Sequence, residues 1–149
     1  MIRALEDAGV GLELVEQPVG QRDLAGLAYV RRHVATPVMA DESVFDLEDL
    51  VALVRHEAAD LVNLKISKSG GLTPALELAR VAHSHGLGVS VGCMIESAVG
   101  VSAAARLAQG AGCDLDPDLD GAWWLAPGAP YAERLSYADG HVRLGRMRG

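Results

Sequence analysis

Five apolar, β-like runs recur along the chain at intervals of about 25 residues, and each ends on a reactive or polar group. LELVEQP closes on Glu16, PVMADES on Asp41, and DLVNLKISK on Lys65. GVSVGCMIES closes on the cluster Cys93–Glu96, and CDLDPDLDG on Asp118 and Asp120. Helical stretches fill the gaps between them. Strands that alternate with helices favour a parallel sheet. In a (β/α) barrel the strand C-termini form one rim, where groups from several strands converge. An open doubly wound sheet is the competing arrangement.

With 149 residues, 50% of them hydrophobic, the chain can bury one ordinary core. It is short for a complete eight-stranded barrel, which takes about 250 residues. Five βα-type units therefore predict a partial barrel. The net charge is −7, aromatics are few and no basic run occurs, which makes nucleic acid and anionic membrane poor partners. No apolar run is long enough to span a membrane, and the first residues lack a signal-peptide core, so a cytoplasmic location is expected. Cys93 and Cys113 lie in separate apolar runs without metal-ligand spacing, and read as small buried hydrophobes in a reducing compartment.

Strands are expected at Gly11–Pro18, Val38–Asp41, Leu61–Lys65, Gly88–Gly92 and Gly112–Leu115. Leu24, Leu27, Val30 and Val34 recur at helical spacing. Asp46 is the expected N-cap of a helix carrying Leu47, Leu50, Val51 and Val54. Thr73-Pro74 reads as a cap followed by proline, and Gly70-Gly71 as a turn without a phosphate-cradling pattern. An alanine-rich helix is expected from about Ala98 to Gln109. His83 and His85 fall in the last turn of a helix, where positive charge is favourable, and need no catalytic role. Residues 1–125 form the expected partial barrel domain. Residues 126–149 change character, with Leu135–Tyr137 and His141–Leu144 flanking Asp139-Gly140 as a small hairpin extension.

Alternation in the third run puts Val62 and Leu64 on one face, apt for outer helices, and Leu61, Asn63 and Lys65 on the other, pointing inward. Glu16 and Asp41 occupy equivalent places in successive units and could share a hard cation such as Mg2+; alone, either could simply cap a helix. Glu42 competes with Asp41, but only one of two adjacent strand residues faces inward. Lys65, inward-facing near a cation and low-dielectric walls, can have its pKa lowered toward that of a general base, or can pair with a carboxylate. Lys68, where the strand opens into a loop, reads as a solvated or substrate-rim charge. Asp118 and Asp120, spaced by two, could hold a cationic group, although aspartate-rich loops are usually turns. Glu96 is either a rim acid or part of a helix N-terminus beside Ser97.

The pieces VEQP, ADES, NLKISKSGG, GCMIES and DLDG occur in order over roughly residues 4–125. Together they resemble the mandelate racemase/muconate-lactonizing branch of the enolase superfamily, and most of all its dipeptide epimerases, the L-Ala-D/L-Glu type among them. The resemblance implies strands 4 to 8 of that superfamily's C-terminal TIM-type barrel. It implies Mg2+ held by Glu16 and Asp41, and Lys65 as an acid/base in a 1,1-proton transfer α to a carboxylate through an enediolate. It places the ammonium of a dipeptide substrate on Asp118 and Asp120, with Lys68, Cys93, Met94 and Glu96 near the substrate. By the same resemblance a capping domain, a third metal ligand and a second lysine on the opposite face lie outside the chain, and the final segment returns toward that cap. The chain alone is then expected to be inactive, and the full-length form can be a homo-oligomer. Muconate cycloisomerase and o-succinylbenzoate synthase relatives usually lack the aspartate pair. A non-catalytic truncated fragment with open sheet edges is the reading from a different class.

Overall fold

In the computed structural model, residues 1–126 and 128–145 are described. The chain opens with helix α1 (Ile2–Asp7), followed by β1 (Val15–Glu16), α2 (Leu24–His33), β2 (Val38–Ala40), α3 (Leu47–Arg55) and β3 (Leu61–Leu64). A short turn of helix α4 (Ile66–Ser69) leads into α5 (Leu72–Ser84), β4 (Gly88–Val91) and α6 (Ala98–Ala111). The hairpin strands β5 (Leu135–Ala138) and β6 (His141–Leu144) pair antiparallel around Asp139 and Gly140, both at positive φ.

The four strands β1 to β4 pair in parallel and in sequence order, with Met39 beside Leu61 and Asn63 beside Ser90. One apolar core takes Val38, Ala40, Val62, Leu64, Val89 and Val91 from the sheet. Against them it sets Leu27 of α2, Leu50 and Leu53 of α3, Leu78 of α5, and Val101 and Leu107 of α6. Each fully buried leucine or valine contributes about 1.5–3 kcal/mol, so burial rather than helix propensity holds these elements. All four helices feed the same face. A doubly wound sheet would have helices on both faces, whereas a barrel segment keeps one face for helices and the other for the hollow. The fold is α/β, a partial TIM-type barrel.

Strands β2, β3 and β4 each end one residue short of expectation, and three larger differences stand out. β1 contains only Val15 and Glu16, because on this side of the sheet its neighbour is β2 alone, reached through Val15 N–Pro37 O and Gln17 N–Met39 O. The expected strand Gly112–Leu115 does not form. Helix α6 runs on to Ala111 and Gly112 caps it, so the next pairing is postponed to an isolated Gly92–Asp118 bridge. Pro117 has no N–H to give a ladder there. Helix α5 starts at Leu72 with Gly71 as N-cap, which leaves Thr73 inside the first turn rather than capping it. Asp46 caps α3 as expected, accepting from Asp49 N at 3.0 Å.

At the foot of the sheet one device appears twice. Asp60, just before β3, donates its N–H to Val38 O (2.8 Å) and accepts Val38 N on Oδ2 (2.9 Å), while Oδ1 takes Arg31 of α2 at 2.8 Å. Asp114 does the same one pair of units later: its N–H goes to Val89 O (2.8 Å), Oδ2 accepts Val89 N (2.8 Å), and His83 of α5 stands 3.0 Å away. A third carboxylate, Glu6, accepts the Thr36 hydroxyl (2.7 Å) and the N–H groups of Thr36 and Ala35 on Oε1.

Asp60→Ala leaves the buried Val38 N–H unpaired, which costs about 1–3 kcal/mol. Urea denaturation should show that loss; a change within about 0.5 kcal/mol, typical of ordinary surface sites, would mean the clasp is dispensable. The Thr36 hydroxyl and N–H hold the Glu6 carboxyl below its ordinary 4.5. Its stabilising effect is therefore complete above that value and lost as pH falls through the lower folded pKa. Glu6→Gln should flatten the acid limb of the Tm–pH profile; two profiles of the same shape would contradict this.

Candidate active site

The hollow face of the sheet gathers what the core face rejects. Met39 and Asp41 alternate with Val38 and Ala40 on the β2 segment, Asn63 and Lys65 with Val62 and Leu64, and Ser90 and Gly92 with Val89 and Val91. Asn63, Ser90 and Asp41 are all buried. At the strand C-termini these side chains meet. Asn63 Nδ2 donates to Glu16 Oε1 at 2.8 Å, and Lys65 Nζ to Asp41 Oδ2 at 2.5 Å. Asp41, not Glu42, turns inward; Glu42 is exposed.

The backbone after Lys65 departs from expectation. The chain does not open into a loop after Lys65 but coils into α4, with the N–H groups of Lys68 and Ser69 returned to Lys65 O. That single turn swings the Lys68 ammonium back over the rim. It donates to Asp41 Oδ1, to Asp41 O at 2.6 Å and to Asn63 O at 3.2 Å, which uses all three of its protons. Its side chain is 7% exposed, against 15% for Lys65, so it is the more enclosed of the two and not a solvated charge. Phe45 covers it, with Nζ 5.7 Å from the ring centroid.

Two ammonium groups thus share one buried carboxylate. Burial pushes Asp41 up, but the Lys65 and Lys68 hydrogen bonds outweigh it and hold the carboxyl below the usual range. Burial pulls Lys65 down, yet the Asp41 bond and the charges of Asp41, Glu16 and Glu42 leave it above the ordinary lysine value. For Lys68 burial wins over Asp41, helped by repulsion from Lys65, and its pKa lies below the ordinary value. Lys65 thus shows the carboxylate pairing that was one of its two expected roles, while the downward shift falls on the more deeply buried Lys68.

Gly92 allows a close approach: a Cβ there would lie 2.7 Å from Asn63 Oδ1 and 2.9 Å from Lys65 Cε, so both side-chain ends would have to shift. Asn63 Oδ1 is buried with no hydrogen-bond partner. Glu16, Asp41 and Asn63 thus offer oxygen donors on adjacent strand ends, the chemistry a hard divalent cation needs. Among the described residues no group of three or more His, Cys, Asp or Glu could hold a metal ion by itself, so the fit is to part of a ligand shell.

The next rim loops sit beside this group. Gly121 N donates to Cys93 Sγ at 3.2 Å, and a Cβ on Gly121 would lie 2.0 Å from Met94 O, so only glycine lets the two loops touch. Leu119 turns into the core while Asp118 and Asp120 on either side stay exposed. Asp120 Oδ2 accepts Trp124 Nε1 at 3.1 Å. Burial pushes the Cys93 thiol up against the pull of the Gly121 N–H, and the charges of Asp118, Glu96 and Asp120 add to the push; a thiolate nucleophile is disfavoured. Glu96 folds back on its own loop, accepting Met94 N at 2.9 Å beside Ser97, the N-cap of α6. Met94 lines a cleft of about 320 Å³ with Asp41, Phe45, Lys65, Ser67 and Lys68. Phe45, Ser67 and Gln17 had no signal in the sequence beyond adjacency to a strand end.

A half-barrel whose hollow rim carries carboxylates on two strands and a lysine on the third defines a class, and comparison with known proteins agrees. The chain belongs to the enolase C-terminal domain-like family, which it matches over residues 1–149. It is 47% identical over 107 residues to the L-Ala-D/L-Glu epimerase of Bacillus subtilis, an alignment covering 72% of this chain and 29% of that protein. The substrate-liganded structure of that epimerase superposes with a TM-score of 0.88 at 38% identity over the longer span, 96% of this chain and 40% of the other. The dipeptide epimerase of Enterococcus faecalis complexed with Mg and L-Leu-L-Tyr superposes with a TM-score of 0.80 at 38% identity, covering 91% of this chain and 37% of that one. This chain therefore spans well under half the length of these relatives. No helix among the described residues is long and apolar enough to cross a membrane.

Lys68→Met removes charged hydrogen bonds from a buried carboxylate and should destabilise the fold by about 1.5–3 kcal/mol in metal-free buffer, measured by chemical denaturation. A negligible loss would return Lys68 to the role of a rim charge.

Proposed function

We propose that this chain carries part of the active site of a Mg2+-dependent dipeptide epimerase. The observation behind this reading is the convergence of Glu16, Asp41, Asn63 and Lys65 on one rim, with Lys65 Nζ 2.5 Å from Asp41 and Asn63 holding Glu16. Glu16 and Asp41 would hold the cation. Bound there, Mg2+ supplies positive charge to a substrate carboxylate as negative charge develops on it. Lys65 removes or returns the α-proton on its own face of the substrate. The tight pairing with Asp41 suits a lysine that is released as the carboxylate takes up another cation. Asp118 and Asp120 receive the free ammonium of the dipeptide, and the acidic surroundings of Cys93 fit a cationic guest. Lys68 acts as a strut for Asp41 at the edge of the substrate cleft. Cys93, Met94 and Glu96 shape that edge. Residues 1–125 form the barrel part, and 126–149 an extension directed toward a capping domain; its last residues, 146–149, lie outside the described ones.

The test is a chimera in which this chain replaces the matching C-terminal part of the Bacillus subtilis epimerase. It is assayed by NMR for Mg2+-dependent exchange of the α-proton of L-Ala-L-Glu in D2O. Exchange lost on Lys65→Ala is the expected result. A chimera that folds cooperatively and binds Mg2+ but exchanges nothing would overturn the epimerase reading. The 149-residue chain alone should exchange no α-proton. Mg2+-dependent exchange by it, lost on Lys65→Ala, would show that this rim is self-sufficient.

A further inference from the structure

Glu16 and Asp41 stand on neighbouring strands, and the ladder that joins those strands ends between them, at the 2.9 Å bond from Gln17 N to Met39 O. Past that point, among the described residues, side-chain bonds tie the two rim loops together. Gln17 supplies the link. Its backbone has φ +39, a left-handed conformation that a side chain with a Cβ rarely adopts, and Pro18 follows it. The turn aims its amide across at the β2 loop, where every hydrogen-bonding position is used. Oε1 accepts Asp41 N at 2.9 Å and Ser43 N at 3.3 Å. Nε2 donates to Ser43 Oγ at 2.9 Å and to Val19 O at 3.2 Å. The buried Ser43 hydroxyl passes the connection on to Gln21 O at 2.7 Å, so the bonds run out from the β1 loop and back into it.

A plain turn after a strand needs no such saturated amide. The residue it grips is the one whose carboxylate is shared by two ammonium groups, and the residue it follows is the other rim carboxylate. We infer that Gln17 is a positioning residue for a divalent-cation site: it sets the separation and mutual orientation of Glu16 and Asp41 without touching the cation. This rests on the metal-site reading proposed above. The strain at Gln17 is the means by which one side chain reaches both loops.

The experiment is an Mn2+ titration of the chimera described above, which supplies the rest of the ligand shell, followed by paramagnetic broadening of assigned amide resonances, with thermal stability measured in parallel. In the unsubstituted chimera, Glu16 and Asp41 should broaden together along one binding curve. Gln17→Gly relieves the backbone strain and removes the amide; Gln17→Met keeps the length and removes the bonds. Both should weaken Mn2+ binding by about 10–100-fold, the usual effect of removing a support for a metal ligand, and should separate the two broadening curves. Ser43→Ala, which leaves the Gln17 backbone alone, should give a smaller loss in the same direction and keeps the test open should a Gln17 variant unfold. Variants that melt earlier but bind Mn2+ as the unsubstituted chimera does would overturn the inference alone. An unsubstituted chimera with no broadening at Glu16 or Asp41 would overturn the metal-site reading and this inference with it.

Discussion

Everything in this chain depends on the period-two alternation of short parallel strands. In β3, Val62 and Leu64 are fully sealed in the helix-covered core while Asn63 and Lys65 face the hollow. A register slip of one residue would drive an ammonium into hydrocarbon and expose two aliphatic side chains, so the hydrophobic effect that builds the core also dictates which groups can meet at the rim. The chemistry is thereby fixed by the same force as the fold. Because β2 and β4 obey the same parity, Asp41 and Gly92 arrive beside Lys65 with no further instruction.

The burial of Asp41 follows from that arrangement and sets its cost. A carboxylate taken out of water is tolerated only when strongly paired, and here two ammonium groups pair with it. They divide the work unequally. Lys68 is spent on carbonyl groups as well as the carboxylate, and is immobilised by α4 and Phe45. Lys65 makes one bond, lies closer to solvent and borders the space left by the missing Cβ of Gly92. Of the two, only Lys65 has somewhere to go.

The sequence made the architecture readable because each strand is announced by an apolar run and closed by a charged or turn-forming residue. The same pattern put Glu16, Asp41, Lys65 and Asn63 on the correct strand ends. Where reading failed, the controlling interactions were between loops. Lys68 was out of reach because its direction depends on a four-residue helix that owes its form to contacts with Lys65 O and Ile66 O. The missing fifth strand reflects a helix that runs two residues further than its apolar pattern suggests, followed by a proline. Gln17 stood out only by its place at a strand end, since a left-handed glutamine leaves no mark in composition or periodicity.

The twin clasps at the foot of the sheet have a consequence for how such a scaffold can change. Asp60 bolts β2 to β3 and to α2, and Asp114 bolts β4 to the segment after α6 and to α5, at the end of the sheet opposite the rim that carries Asp41 and Lys65. Strand alignment is thus secured without using Glu16, Asp41, Asn63 or Lys65 at the other end. The staves are fastened at the base, which frees the upper edge to be rewritten, group by group, while the vessel keeps its shape.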